Sequence, residues 1–456
     1  MCRESNEKCI IPKEKEKGFM NTLVLLLICV AVLACGYIFY GRWLCKQWGV
    51  GENNEPTPAH TLEDGVDYVP AKAPVLMGHH FSSIAGAGPI TGPIGAAMFG
   101  WLPVTLWVLV GGIFFGGVHD FGALFASLRH KGQSIGEIIS TNMSRRAKRL
   151  FIIFAYLTLI LVVAAFASIV ASTFGATYVD GVLDKAASAS NATVAMVSLL
   201  FIVVAIAFGF CVYRRNTPML ISTVLGVVAI VICMAFGMNF HPLYFSTKTW
   251  MIVVGIYIAI ASVTPVWILL QPRDYLSSFL LYAMLVVAVV GVVGAHPNIN
   301  PDLFPAFAGF AVDNGNGVQY LFPILFTTVA CGAISGFHSL VSSGTASKQI
   351  KNEKNMLPVS FGAMLMESML AIIALIAVAS FGQGEAAAQG LTTQPQIFAG
   401  AIANFLSVIG LPHSLVFTLI NLAVSAFALT SLDSVARVGR LSFQEFFLDS
   451  DTDEEN

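Results

Sequence analysis

The chain has 456 residues, of which 56% are hydrophobic and 11% charged, and its mean hydropathy is +0.77. A soluble domain carries about 25% charged residues, so water is not the main solvent of this chain. Its net charge of −2 argues against a nucleic-acid partner, which needs a basic face, and its 34 phenylalanines suit a lipid-facing surface.

The eight cysteines, at 2, 9, 29, 35, 45, 211, 233 and 331, form no CxxC pair and read as small apolar residues. The nine histidines show no HExxH spacing and no GxxxxGK[ST] loop is present. The chain therefore reads as neither an enzyme nor an ATP-driven pump, with no cofactor and no metal beyond a sodium or proton used for coupling.

Apolar runs near the roughly 20 residues needed to cross a bilayer core fall at 20–41, 81–100, 101–118, 150–174, 194–213, 219–238, 250–270, 276–295, 319–341, 359–381 and 413–432. The expected fold is all-α: a polytopic membrane protein of about eleven transmembrane helices. Lys and Arg crowd segment 119–149, thin out in 175–193, return at Arg214, Arg215 and Arg273, vanish from 296–318, return in 342–358, and vanish again from 382–412. Because cytoplasmic loops retain positive charge, this alternation puts the C-terminus in the cytoplasm and the N-terminus outside, in an inner (plasma) membrane. Arg3, Lys8, Lys13, Lys15 and Lys17 oppose that N-terminal placement, which is resolved if translation starts at Met20 or if 1–19 is a short tethered tail. Val32 to Cys35 loosely resembles a lipoprotein cleavage site, but the apolar run continues to Leu44, and a plain helix is the preferred reading.

The resulting division is a non-core extension at 1–19, a peripheral helix at 20–45, a cytoplasmic loop at 46–80, five-helix repeats at 81–238 and 250–432, and a cytoplasmic acidic tail at 433–456, with truncation of that tail left open. Two repeats are expected because two spans are interrupted. Gly86-Ala87-Gly88-Pro89 and Gly92-Pro93 break 81–100, and Thr264-Pro265 breaks 250–270 five spans later. The two run in opposite directions, the pattern of an inverted-repeat transporter. Unwound backbone in a membrane is tolerable where it lines a cavity or binds something, freed N–H groups suiting a carboxylate and freed carbonyls a cation. Expected substrate-binding residues are Ser82, Ser83, Gly86, Ala87, Gly88, Pro89, Thr264, Pro265 and Trp267. Simple kinking by Pro and Gly is the plainer alternative.

In 319–341 and just beyond it, Gly332, Ser335, Gly336, Ser339, Ser342 and Ser343 recur at helical spacing. They read either as a close-packing face or as hydroxyls that coordinate sodium. Ionisable residues at membrane depth are functional candidates by default, so His338 and Glu367 join Ser335, Ser339, Ser342 and Ser343 as expected ion-coupling residues. His79, His80 and Asp120 are expected at span ends, where they could gate. Asp433 is placed at a span end, and Arg273-Asp274 is read as a loop brace.

The stretches GHHFSSIAGAGPITGP at 78–93, VHDFGALFASLRHKGQSIGE at 118–137, PVWILLQPRDYLSSFL at 265–280, ACGAISGFHSLVSSGTASKQIKNE at 330–353 and GAMLMES at 362–368 resemble the carbon starvation protein A (CstA) family. The resemblance extends from about Tyr40 to Arg440. It implies uptake of peptides or pyruvate in carbon starvation, proton coupling in pyruvate-carrying members, and kinship with the amino acid–polyamine–organocation superfamily and its leucine-transporter-like five-plus-five repeat. Proton-coupled members of that superfamily can hold a lysine in the fifth core helix, whereas 219–238 has none, which leaves sodium open. Long members have two helices before the loop at 41–72 and further apolar segments after Arg440, where this chain runs into Asp449 to Asn456. The expected partners are a small-molecule substrate and the lipid bilayer, with oligomeric state open. A passive channel is the competing reading, and a membrane sensor or enzyme the weaker one.

Overall fold

The computed structural model describes residues 20–51, 56–65, 67–179, 181–214, 218–264, 270–299, 301, 304–313, 315, 317–381, 391 and 393–447. Helix α1 (Thr22–Gln47) precedes a broken helix made of α2 (Ala73–Ile84) and α3 (Gly88–Ala96). Then come α4 (Trp101–Arg129), α5 (Arg145–Phe174), α6 (Lys185–Val212), α7 (Met219–Asn239), α8 (Thr247–Val263) and α9 (Leu270–Ala295). A second broken helix comprises α10 (Leu321–Thr328), α11 (Ala330–Ala333) and α12 (Gly336–Gly344). Helices α13 (Glu353–Phe381), α14 (Gln394–Val408) and α15 (His413–Phe447) follow.

Eight of these helices are long and apolar enough to cross a membrane, and α8, at 17 residues, is a shorter apolar one. The protein is thus a polytopic helical membrane protein. Burial sorts the helices into layers: α13 is almost wholly enclosed, whereas α5 and α7 turn Phe154, Leu161, Leu220 and Ile232 outward. A helix apolar all round belongs in a core or against lipid, and both cases occur here.

The first break lies where the Gly-Pro run places it. Ala85 leaves helical geometry at φ −77°, ψ 68°, and Pro89 occupies the first turn of α3, where its missing N–H forfeits no helical bond. The second break carries no proline. Ile334 (φ −161°, ψ 129°) and Ser335 (φ −130°, ψ 121°) are extended between α11 and α12. Each break is sealed by a hydroxyl from a neighbouring helix: Ser431 of α15 donates to the Ser83 carbonyl at 3.2 Å, and Ser368 of α13 to the Gly332 carbonyl at 2.9 Å. Left unpaired in apolar surroundings, such a carbonyl would cost about 1–3 kcal/mol.

The two broken helices run antiparallel and cross. Ala71, ahead of α2, donates to Gln349, beyond α12, at 2.9 Å, while Leu102, beyond α3, donates to Ala306, ahead of α10, at 3.0 Å. The same inversion joins the start of α1 to the end of α9, where Met20–Asn21 pairs antiparallel with Asn298–Ile299. At the crossing a Cβ on Gly88 would lie 2.6 Å from Cys331 Sγ, and one on Gly92 2.5 Å from the Thr328 carbonyl oxygen, so side-chain-free positions set the approach.

Several expected boundaries are corrected. A second broken helix opens at Ile334–Ser335, which was not expected, whereas the chain leaves helical geometry at Thr264 as the end of α8, ahead of the 26-residue α9; Pro265 and Trp267 lie outside the described residues. Residues 73–80 of the expected loop 46–80 are helical, as are 394–408 of the expected loop 382–412, and α15 carries the expected tail 433–456 on as helix to Phe447. All three lapses have one cause. Hydropathy falls wherever a helix turns polar or small side chains inward, and that fall looks like a loop.

Candidate functional site

Two buried polar clusters flank the crossing. In the first, Asp120 of α4, His338 of α12, Glu367 of α13 and Cys331 of α11 converge. His338 Nδ1 lies 2.8 Å from Asp120 Oδ2, and its Nε2 lies 3.1 Å from Glu367 Oε2 without hydrogen-bonding alignment. Cys331 Sγ donates to Glu367 Oε1 at 3.3 Å, and His119 Nδ1 lies 3.2 Å from Asp120 Oδ1. Asp120, His338 and Glu367 are wholly inaccessible to solvent.

The second cluster joins α2, α8, α9 and α15. Arg273 Nη1 pairs with Asp433 Oδ2, and the Tyr257 hydroxyl donates to that same oxygen at 2.7 Å. Asp274 Oδ2 accepts from Ser83 Oγ at 3.3 Å and lies 3.1 Å from His79 Nδ1, while Ser82 Oγ donates to the Asp274 carbonyl at 3.1 Å. Arg273, Asp274 and Asp433 are all buried, and among the described residues Arg273 Nη2, Asp274 Oδ1, Asp433 Oδ1 and His79 Nε2 have no hydrogen-bond partner. One guanidinium facing two carboxylates leaves one negative charge to be compensated, which buried surroundings make costly to ignore.

The expected residues sort as follows. Ser82, Ser83, Gly86, Ala87, Gly88 and Pro89 all line the first break, where a Cβ on Gly86 would meet Ser431 Oγ at 2.8 Å. Thr264 does not join them, since its hydroxyl donates back to the Ile260 carbonyl of its own helix at 2.8 Å. Ser335 stands in the second break. The hydroxyls of Ser339 and Ser343 donate to Gly336 and Ser339 carbonyls of their own helix at 2.8 Å, leaving Ser342, of the three, with no hydrogen-bond partner among the described residues. His79, His80 and Asp120 are buried, which places them in the interior, and the solvated reading of Asp433 and the loop brace of Arg273-Asp274 are corrected, since all three of those residues are buried in helices. Sequence reasoning missed Cys331, Tyr257, Ser368 and Ser431 altogether. The available signal for Asp433 was a carboxylate followed by no basic residue until Arg437.

Two cavities approach this region from opposite ends. A cavity of ≈ 260 Å³ lined by Ala71, Lys72, His79, Phe208, Tyr275 and Gln349, among others, extends to the second cluster. A wider one of ≈ 860 Å³ opens beside Ser190, Thr193, His241, Asn404, Ser414 and Thr418. It lies toward the other end, because the 30 residues of α5 separate Arg145 from Phe174, and Asn191 of α6 holds the Gly175 carbonyl at 2.8 Å.

Comparison with known proteins adds to this geometry. The family described as carbon starvation protein CstA matches residues 21–391. The chain is 38% identical to "Peptide transporter CstA" of Campylobacter jejuni over 78% of its own length and 50% of that protein's. It is 33% identical to the Bacillus subtilis protein of the same name, over 94% and 75%, and 34% identical to "Pyruvate/proton symporter BtsT" of Escherichia coli, over 80% and 50%. It thus spans about half the length of the Campylobacter and Escherichia relatives. No solved structure matches it.

Proposed function

The chain belongs to the carbon starvation protein CstA family, and from that premise we propose that it is a secondary transporter importing peptides or pyruvate across the inner membrane during carbon starvation. The observation that carries this reading is the crossing of two antiparallel broken helices beside buried, incompletely paired charge, with a cavity reaching His79. Broken helices crossing at membrane depth are how secondary carriers build a site that either face can reach in turn. Eleven crossings follow if α8 and both broken helices are added to the eight long ones, with α14 dipping without crossing. The N-terminus then faces outward and the C-terminus the cytoplasm. The inverted halves are drawn anew, α1 to α4 against α9 to α13, in place of the leucine-transporter-like five-plus-five division.

Peptides and pyruvate share a carboxylate. In the first turn of α3 Pro89 has no N–H and those of Ile90 and Thr91 share the Ala87 carbonyl, so the group offered to such an anion is the free Nη2 of Arg273. The cation that moves with the cargo, proton or sodium, is assigned to Asp274 and His79, where the excess negative charge meets the cavity. Sodium held by the α12 serines is the alternative placement, since Ser339 and Ser343 donate to their own helix and keep their oxygen lone pairs for a cation.

The test is uptake of labelled pyruvate and of labelled di- and tripeptides into proteoliposomes holding this chain, with proton and sodium gradients imposed separately. Accumulation driven by one gradient is expected. Equilibration that ignores both gradients points to a passive channel and overturns the coupled-carrier reading.

A further inference from the structure

Cys331, His338 and Glu367 are brought together by the break in the second broken helix. Seven residues of straight helix would hold Cys331 and His338 roughly 10 Å apart along the axis. With Ile334 and Ser335 extended, one donor atom from each of Cys331, His338 and Glu367 lies within 4.8 Å of the others. Ligands around a tetrahedral zinc-type ion stand roughly 3.4–3.8 Å apart, so small side-chain rotations close the set.

Two further features point to a ligand at that spot. Asp120 Oδ2 lies 2.8 Å from His338 Nδ1, so in the tautomer with the proton on Nδ1 that N–H donates to the carboxylate and Nε2 is left to coordinate. Such a carboxylate behind a liganding imidazole is the usual outer shell of a metal site. In addition, His338 Nε2 and Glu367 Oε2 are buried and lie 3.1 Å apart without hydrogen-bonding alignment, so two donor atoms converge on one point without satisfying each other. A thiolate, an imidazole and a carboxylate select a borderline-soft divalent ion over sodium, calcium or magnesium, which prefer all-oxygen shells.

We propose that Cys331, His338 and Glu367 bind one divalent transition-metal ion of the zinc type between the two broken helices, with Asp120 orienting His338. Binding releases the thiol proton that Cys331 now shares with Glu367, and the charges of thiolate and carboxylate cancel those of the ion. The ion joins α11, α12 and α13 across the second break. It fixes the carrier's frame and is not its cargo.

The experiment uses the chain purified in detergent, loaded with Zn²⁺ or Co²⁺ and desalted. Elemental analysis should give about one equivalent, and the cobalt form should show a thiolate-to-metal charge-transfer band. Cys331→Ser should abolish the band and lower retained metal at least tenfold, while His296→Gln, at an exposed position outside both clusters, should leave both unchanged. Substoichiometric metal in the parent chain overturns the proposal, as does undiminished retention in Cys331→Ser. Should that variant not remain monodisperse, the parent decides alone: its unfolding temperature must rise with free Zn²⁺ as mass action requires, and a flat response refutes the site. None of these readouts involves uptake, so failure of the transport reading and failure of this one are separate results.

Discussion

Asp433 and Arg273 form the most consequential pair of single residues, because both are buried and each is the other's counter-charge. Arg273→Met should lower stability by about 3–5 kcal/mol, the usual penalty for leaving a buried charge without its partner, here Asp433, as read by denaturant unfolding in detergent. Arg273→Met combined with Asp433→Leu should recover most of that loss, since two apolar groups of similar volume need no pairing. Uptake should stay abolished in the double variant. Recovery of uptake with stability would remove the guanidinium from the cargo site. At this scale the sequence was partly legible: Glu367 and His338 stand out as ionisable groups inside apolar runs. Arg273, Asp274 and Asp433 were visible but misplaced, because hydropathy ended their spans where interior polar positions began. Cys331 was invisible, since a lone thiol in an apolar run looks like any small core residue.

Among elements, the two breaks divide by how they are encoded. Gly86 to Pro89 announces the first by removing a donor and Cβ atoms together. The second, at Ile334–Ser335, has neither proline nor an unusual glycine conformation; it is set by contacts, among them the Ser368 hydroxyl on the Gly332 carbonyl. A local signal could not disclose it. Conversely, Thr264-Pro265 gave the local signal and marks the end of α8 instead. Two variants test the crossing. Gly88→Leu should wedge the broken helices apart at Cys331 and block uptake while membrane insertion, followed by fractionation, persists. Ile334→Leu with Ser335→Ala favours continuous helix by a few tenths of a kcal/mol per residue and removes no polar partner; it should slow uptake severalfold with little change in unfolding temperature. Normal uptake by both would detach the crossing from transport.

For the whole molecule, overall helicity was readable from the apolar runs, whereas the antiparallel meeting of the two broken helices shows only in the backbone contacts at their ends. The proposed pairing of α1 to α4 with α9 to α13 had no signal in the sequence, because it depends on which helices touch. Opposed vestibules should show in labelling: in a Cys35→Ser background, Ser414→Cys should react with an impermeant thiol reagent from outside intact cells, and Lys72→Cys only after the membrane is opened. The reverse pattern would invert the proposed orientation. The hydroxyl seals supplied by Ser431 and Ser368 also bear on the unloaded half of a transport cycle. A carrier must reset after releasing its cargo, and a broken helix whose open carbonyls relied on that cargo would resist the journey back. Here one open carbonyl at each fracture is met by the protein's own side chain, so at those two atoms the empty form asks nothing of the cargo and the return journey need not restore them.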